Sequence, residues 1–290
     1  MNGGYKKLNL WYIIALISLL VFALSTYSWA NQRDGLLKVY FLDVGQGDSI
    51  FIESPTGDQV LIDGGPDNKV LEKLGKYMPI NDRSIDLVIS THKHADHISG
   101  LLGVLDRYDV QSIIDTKEND DSAESRAWDY SVKKEGAKEI EAIAGDFVDL
   151  GDGVVLKILY PFESLINNKA SNENNNSVVM MLEYKNVRLL LTGDIEATVE
   201  NKLIANGVDL TADVIKVAHH GSKTSSTESF LTSVGPQVGF IEVGENNIYK
   251  LPSQEILSRL EKFGIKYYRS DTDGDVELVS DGINFKIIKN

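Results

Sequence analysis

Ser90-Thr-His92-Lys-His94-Ala-Asp96-His97 leaves the apolar run Ile85-Asp-Leu-Val-Ile-Ser90 and enters a stretch patterned as a helix from about His97 to Arg107. The backbone therefore turns from extended to helical inside these few residues. In the extended part His92 and His94 point the same way, because strand side chains alternate in direction. Asp96 and His97 sit where the helix begins, so four donors can converge, two on one ion and two on another. All five histidines of the 290-residue chain lie here or in the adjacent pair His219-His220. Histidine used for packing would be scattered, whereas a metal site gathers several imidazoles from a few loops.

Three other apolar runs end in a polar donor. Asp194 follows Leu189-Leu-Leu191 in Thr192-Gly193-Asp194, at the mouth of a strand where a carboxylate can bridge two ions. Taken alone, Gly-Asp after a strand is a turn; beside the histidine cluster it reads as a ligand. Asp63, closing Leu61-Ile-Asp63-Gly-Gly, is expected to orient a ligand histidine by hydrogen bond. His219-His220-Gly221-Ser222 follows Val214-Ile-Lys-Val-Ala218, and neighbouring side chains diverge, so one member of the pair is expected to bind metal and the other to face substrate. Which is which stays open. The chain has no cysteine, so ligands are His, Asp or Glu, a set that suits Zn²⁺, Mn²⁺ or Fe²⁺. Disulfides and lipid attachment through a thiol are excluded as well.

Residues 8–30 carry no charge and follow Lys6 and Lys7, the pattern of a membrane-directing segment whose N-terminus stays in the cytoplasm. Ser28-Trp29-Ala30 offers small residues for a signal peptidase, yet the run also reaches the roughly 20 residues that a bilayer needs. Residues 1–30 are thus a signal peptide or a membrane anchor, and the rest is expected outside, secreted or attached to the cytoplasmic membrane. The chain holds 43 acidic and 29 basic residues for a net charge of -14; taking away the leader's two lysines leaves the exported part at -16. Such a balance is awkward for gripping nucleic acid over a broad surface.

Beyond the leader, Lys38-Val-Tyr-Phe-Leu-Asp43, Ser49-Ile-Phe-Ile-Glu53 and Gln59-Val-Leu-Ile-Asp63 read as three strands joined by tight turns. A helix near 67–77, the strand Ile85 to Ser90 and the helix from His97 follow. The charged segment Glu118 to Ala144 looks helical at its end, with Trp128 and Tyr130 as anchors. Strands at Val154 to Tyr160, Val178 to Glu183 and Val187 to Leu191 come next. A helix over 195–206, the strand Val214 to Val217, two further strand-helix pairs and a hairpin complete the chain. Asn167 to Ser177 is too polar to bury and reads as a loop. Meander, alternation, then both again predict an α/β fold, a four-layer αβ/βα sandwich of two mixed sheets flanked by helices.

His-x-His-x-Asp-His with Asp63-Gly-Gly, Thr192-Gly-Asp194 and His219-His-Gly-Ser222 resembles the metallo-β-lactamase superfamily. Phe41-Leu-Asp-Val-Gly-Gln-Gly-Asp-Ser49, Asn174-Asn-Asn-Ser177 and Arg269-Ser-Asp-Thr-Asp-Gly274 resemble, more narrowly, its branch in ComEC-type competence proteins, which import DNA. The likeness covers about residues 37 to 290, and the hydrolase domain is placed at 36–290. It implies two divalent ions, Zn²⁺ or Mn²⁺: one on His92, His94 and Asp194, the other on Asp96, His97, Asp194 and His219 or His220. A bridging hydroxide would attack, with Asp96 or the unligated histidine moving the proton to the leaving group.

Two departures from the family pattern stand out. No histidine remains for the loop before the bridging aspartate, where Asn174 to Ser177 stand, so the first ion is expected to bind weakly. Leu251-Pro252 replaces the branch's His-Pro, removing a substrate contact. With one apolar segment the chain is expected to lack the channel of competence proteins. The resemblance implies a phosphodiesterase or nuclease, with single-stranded DNA as a substrate. Asn175, Ser177, Ser222 and Lys223 are candidate substrate contacts, joined by Lys93, Lys216, Thr224, Ser225 and Ser226 as phosphate donors. The alternatives are a hydrolase of small extracellular esters, phosphorylcholine-type esters or lactones, and a binding module with a degenerate site.

Overall fold

The computed structural model describes residues 10–30, 35–118, 120–166 and 172–290, with side chains in the first segment described over 11–22. It divides into two compact units, Met1–Asp34 and Gly35–Asn290. In the first, α1 (Leu10–Ala30) is a 21-residue helix whose described side chains are exposed and mostly apolar, Trp11 and Phe22 among them. Among the described residues no helix is long and apolar enough to cross a membrane. The lysines ahead of the helix and the side chains of Ser28, Trp29 and Ala30 lie outside the described residues.

The second unit opens with the meander β1 (Leu37–Phe41), β2 (Ile50–Glu53) and β3 (Gln59–Ile62), all antiparallel. α2 (Lys69–Tyr77), β4 (Ser84–Ile89), α3 (Ala95–Leu105), β5 (Asp109–Asp115), α4 (Ala123–Glu135) and β6 (Lys138–Glu141) follow, the strands now parallel. The second half runs β7 (Phe147–Asp149), β8 (Val154–Tyr160), β9 (Val179–Tyr184), β10 (Val187–Leu191), α5 (Ala197–Ala205), β11 (Val214–Lys216), α6 (Glu228–Val234) and β12 (Val238–Ile241). It closes with α7 (Gln254–Lys262), β13 (Lys266–Arg269), the single turn α8 (Ser270–Asp273) and the hairpin β14 (Val276–Ser280), β15 (Phe285–Lys289). One sheet has the order β15-β14-β1-β2-β3-β4-β5-β6 and the other β13-β12-β11-β10-β9-β8-β7. The last hairpin thus returns to the first sheet beside β1.

Alternation along the strands builds the layers. Leu37, Val39 and Phe41 of β1 meet Leu189 and Leu191 of β10 in a core between the sheets, where Phe41 stacks on Phe240 at 3.9 Å between centroids. Tyr40 and Leu42 face the other way and pack with Leu74 of α2, Leu101 of α3 and Trp128 of α4. Leu190 and Ile215 likewise meet Val199, Phe230 and Leu260 of α5, α6 and α7. Helix, sheet, sheet, helix is the four-layer sandwich that the pattern predicts. Each large side chain so buried stabilises it by about 1.5–3 kcal/mol.

The charged segment departs from expectation. Its helix lies in the middle, started by Ser122, whose hydroxyl accepts from Ser125 N, and stopped by Gly136 at φ 74°. The end expected to be helical is β6, whose charges suit the edge of a sheet. Trp128 is buried and donates to Asp115 at 3.0 Å, but Tyr130 is 70% exposed and anchors nothing. Of the polar loop, residues 167–171 lie outside the described residues, and Glu173–Asn176 form a short 3-10 turn.

Candidate metal centre

The donor-bearing loops leave the C-terminal ends of strands in both sheets: Asp63 after β3, His92 to His97 after β4, Asp194 after β10 and His219-His220 after β11. Parallel neighbours deliver their loops to one edge, which is why separate stretches meet. Glycine permits the closest approach. A Cβ on Gly100 of α3 would lie 1.9 Å from the carbonyl oxygen of Gly64, so α3 can settle on the Asp63-Gly-Gly turn only without one.

His97 is fully buried. Its Nδ1 donates to Asp63 Oδ2 at 2.7 Å, leaving Nε2 turned to Asp194 Oδ2 at 3.5 Å. Asp63 also accepts from Thr91 N and Thr91 Oγ1, at 2.8 and 2.7 Å, which ties the start of the histidine stretch to the same carboxylate. His220 follows the same plan: Nδ1 donates to the carbonyl oxygen of Glu242 at 2.8 Å, and Nε2 lies 3.2 Å from Asp194 Oδ2 and 3.3 Å from Asp96 Oδ2. His92 Nε2 and His94 Nδ1 face each other at 3.0 Å. Two donor groups emerge, His92, His97 and Asp194, and Asp96, His97 and His220.

Of the histidine pair, His220 points inward and is buried, while His219 is partly exposed, 3.5 Å from Glu196 and 3.4 Å from Asn174. Both hold left-handed backbone, at φ 52° and 51°, a conformation that side chains other than glycine adopt at a cost. His94 enters neither three-residue group; its outer nitrogen pairs with Glu173 at 3.0 Å.

The charges are mutually dependent. Burial opposes a proton on His97 and on His220, but Asp194 together with Asp63 and Asp48, respectively, outweighs it and holds both well above the usual imidazole value. Burial and the charge of His97 push His92 well below it. Burial also works against Asp194 and Asp96, yet the adjoining histidines hold both below the carboxylate range. His97 Nε2 and His220 Nε2 are buried without a hydrogen-bond partner, and both face Asp194 Oδ2. Polar atoms shut off from water and from each other's hydrogen bonds are what a divalent cation would satisfy, and nitrogen and oxygen donors fit Zn²⁺ or Mn²⁺.

Several expected substrate contacts are elsewhere. Ser177 is fully buried, its hydroxyl accepting from Asp194 N at 3.0 Å beneath the site. Asn175 accepts from Glu196 N at 3.1 Å, and it is Asn174 that faces His219. Lys93 is buried against Asp129 at 2.8 Å, Lys216 is buried, and Ser225 and Ser226 are enclosed. Thr224 gives its hydroxyl to Glu196 at 3.1 Å. Ser222 is half-buried and Lys223 is open to solvent. Sequence reasoning missed Asp48 and Glu242. Asp48 is buried 3.2 Å from His220 Nδ1, and the available signal was its place in Gly45-Gln-Gly-Asp48, an acid at the end of the glycine turn that leads into β2.

Comparison with known proteins agrees with this geometry. The chain is 29% identical over 257 residues to ComE operon protein 3 of Bacillus subtilis, covering 83% of this chain and 32% of that protein. It is 34% identical over 128 residues to competence protein ComA of Neisseria gonorrhoeae, covering 44% and 18%. The chain thus spans a third or less of the length of these relatives. Among solved structures, the metallo-beta-lactamase fold protein YhfI of Bacillus subtilis matches with a TM-score of 0.55 at 13% identity over 84% of this chain and 99% of that one. CmlA of Streptomyces venezuelae, a diiron beta-hydroxylase, matches at 0.51 and 12% over 88% and 54%. These two share the fold. The family model that describes the metallo-beta-lactamase superfamily matches residues 42–241, which contain His92, His94, Asp96, His97, Asp194, His219 and His220, and the chain belongs to that superfamily.

Proposed function

We propose that this chain is a metal-dependent hydrolase that works outside the cytoplasmic membrane, secreted or anchored, and cuts phosphodiester bonds with single-stranded DNA as a substrate. The observation that carries this reading is the meeting of His92, His97, Asp194, Asp96 and His220, with the buried and unpaired Nε2 atoms of His97 and His220 both turned toward Asp194 Oδ2. Two divalent ions bound there would lower the pKa of water and stabilise charge on a phosphoryl oxygen.

The chain's own residues supply the rest. Asp96 is one-third exposed, with Oδ2 3.3 Å from His220 Nε2, so it stands on the solvent side of the cluster, where a carboxylate can relay a proton to the leaving oxygen. Burial holds His219 below the ordinary imidazole value, which leaves it neutral at pH 7 to hydrogen-bond substrate from the rim. Ser222 and Lys223, on the turn that follows, place a donor and a positive charge beside it. That local charge answers the net charge of -14. Support for the substrate class comes from the competence proteins that the chain resembles.

The test is the full-length chain loaded with Zn²⁺ or Mn²⁺, assayed on single-stranded DNA, a simple phosphodiester and a carboxylic ester, alongside Asp96→Ala. Phosphodiester cleavage that Asp96→Ala abolishes is expected. Cleavage of the carboxylic ester alone would replace this reading with the small-ester hydrolase, and well under one ion per chain would replace it with the binding module.

A further inference from the structure

Behind the two donor groups lie two more, Asp48, Asp63 and His97, and Asp48, Asp194 and His220, all of them buried. Their ligand atoms lie within 4.8 Å of one another, so spacing alone would let a cation settle there too. One cation already does. Lys216, the last residue of β11, is 1% exposed; its Nζ lies 2.5 Å from Asp48 Oδ2 and 3.7 Å from Asp194 Oδ1, and donates to the carbonyl oxygen of Gly193 at 3.1 Å. Asp194 is thereby divided, Oδ1 toward the ammonium and Oδ2 toward His97 and His220.

We propose that Lys216 is a resident cation: its ammonium fills the Asp48 side of the cluster, so that exogenous metal is confined to the side lined by His92, Asp96 and His220. Buried carboxylates left without a counter-charge are costly. Asp48 and Asp194, both buried against Lys216, would otherwise demand another ion. A lysine on a strand cannot leave, whereas a bound metal can. Lys216 is therefore a positioning residue, acting on substrate only through Asp194 and His220.

The inference rests on the reading of this cluster as a metal site, and counting ions tests it apart from any hydrolysis. The full-length chain and Lys216→Met, which keeps length and removes charge, are saturated with Mn²⁺ and analysed for bound metal and for thermal unfolding with and without the ion. Lys216→Met is expected to bind one more ion per chain than wild type and to gain more in Tm from Mn²⁺. Lys216→Arg, which keeps the charge, is expected to hold the wild-type count. An unchanged count in Lys216→Met overturns the inference while leaving the metal site intact; a wild type that binds no metal overturns the underlying reading instead. Should Lys216→Met fold only with metal present, refolding in Mn²⁺ decides: one additional ion supports the inference, and the wild-type count or failure to refold overturns it.

Discussion

Gly47→Ala should damage the site without touching a donor. Gly47 has φ 140°, and a Cβ built on it would stand 2.0 Å from the carbonyl oxygen of Asp96. Carbon does not approach carbonyl oxygen much closer than about 3 Å, so either the loop carrying Asp48 or the first turn of α3 carrying Asp96 must move by about 1 Å. The strained backbone costs about 1–3 kcal/mol and overpacking a further 1–3 kcal/mol, a large part of a domain's usual 5–15 kcal/mol. The movement matters more than the cost. Asp96 lies 3.3 Å from His220 Nε2, and a misplacement of about 1 Å in a catalytic constellation lowers the rate about 100-fold. Gly45→Ala is the control: Gly45 lies on the same loop at φ 94° with nothing within 4 Å of a Cβ, so it adds strain without collision. Turnover of the phosphodiester and thermal unfolding would be compared for both variants. If Gly47→Ala keeps activity within threefold of Gly45→Ala, the packing of this loop on Asp96 does not set the site.

Asp275 accepts from Lys73, Lys76, Tyr77 and Asp43 N at 2.6 to 3.1 Å, so Asp275→Asn should cost about 2–3 kcal/mol, less than a fully buried pair because Lys76 is half-exposed. Burial opposes the charge of Asp275, but these donors hold it below the carboxylate range; its contribution is thus full above pH 4 and lost as pH falls through the depressed value, and wild type and variant should converge in acid unfolding curves. His219→Gly removes left-handed strain and should leave Tm unchanged or raise it by about 2–4 °C while activity falls, a split that a purely structural histidine would not give. Tyr249, 65% exposed on the loop that joins the His219-His220-Gly221 turn through Ser253 N and Gly221 O at 2.9 Å, is placed to stack a base; Tyr249→Ala should raise KM for single-stranded DNA on the order of 5- to 100-fold with little change for a small phosphodiester. Metal at about 100 times its Kd should stabilise the chain by about 2.7 kcal/mol, a Tm rise of roughly 5–10 °C, and a Tm indifferent to Zn²⁺ and Mn²⁺ would remove the metal site.

The sandwich was legible because both of its periodicities are written in the chain. Val187 to Leu191 and Val154 to Tyr160 form strands over the residues that alternation predicts. Where burial does not drive composition, the pattern fails. β6, Lys-Glu-Ile-Glu, is half-solvated at a sheet edge and so reads as a charged segment, and Tyr130 has the look of an anchor while pointing outward. Caps would have helped: Ser122 and Gly136 bracket α4 and were there to be read.

The site divides along a different line. His92, His97, Asp194 and the pair His219-His220, though not which of the two turns inward, were legible because histidine and terminal aspartate are residues whose position needs a reason. Lys216 and Ser177 were misplaced because lysine and serine beside the histidine motif suggest contact with an anionic substrate, and nothing local distinguishes a buried ammonium from a solvated one. The hint lay in context: Lys216 interrupts Val214-Ile-Lys-Val-Ala218, a run buried on every side, and a charge can lie in such a run only against an opposite one. Its partner is Asp48, 168 positions earlier in sequence and 2.5 Å away in space. Sequence thus announces the groups that would face a metal, and it takes the fold to show the charges that hold them in place.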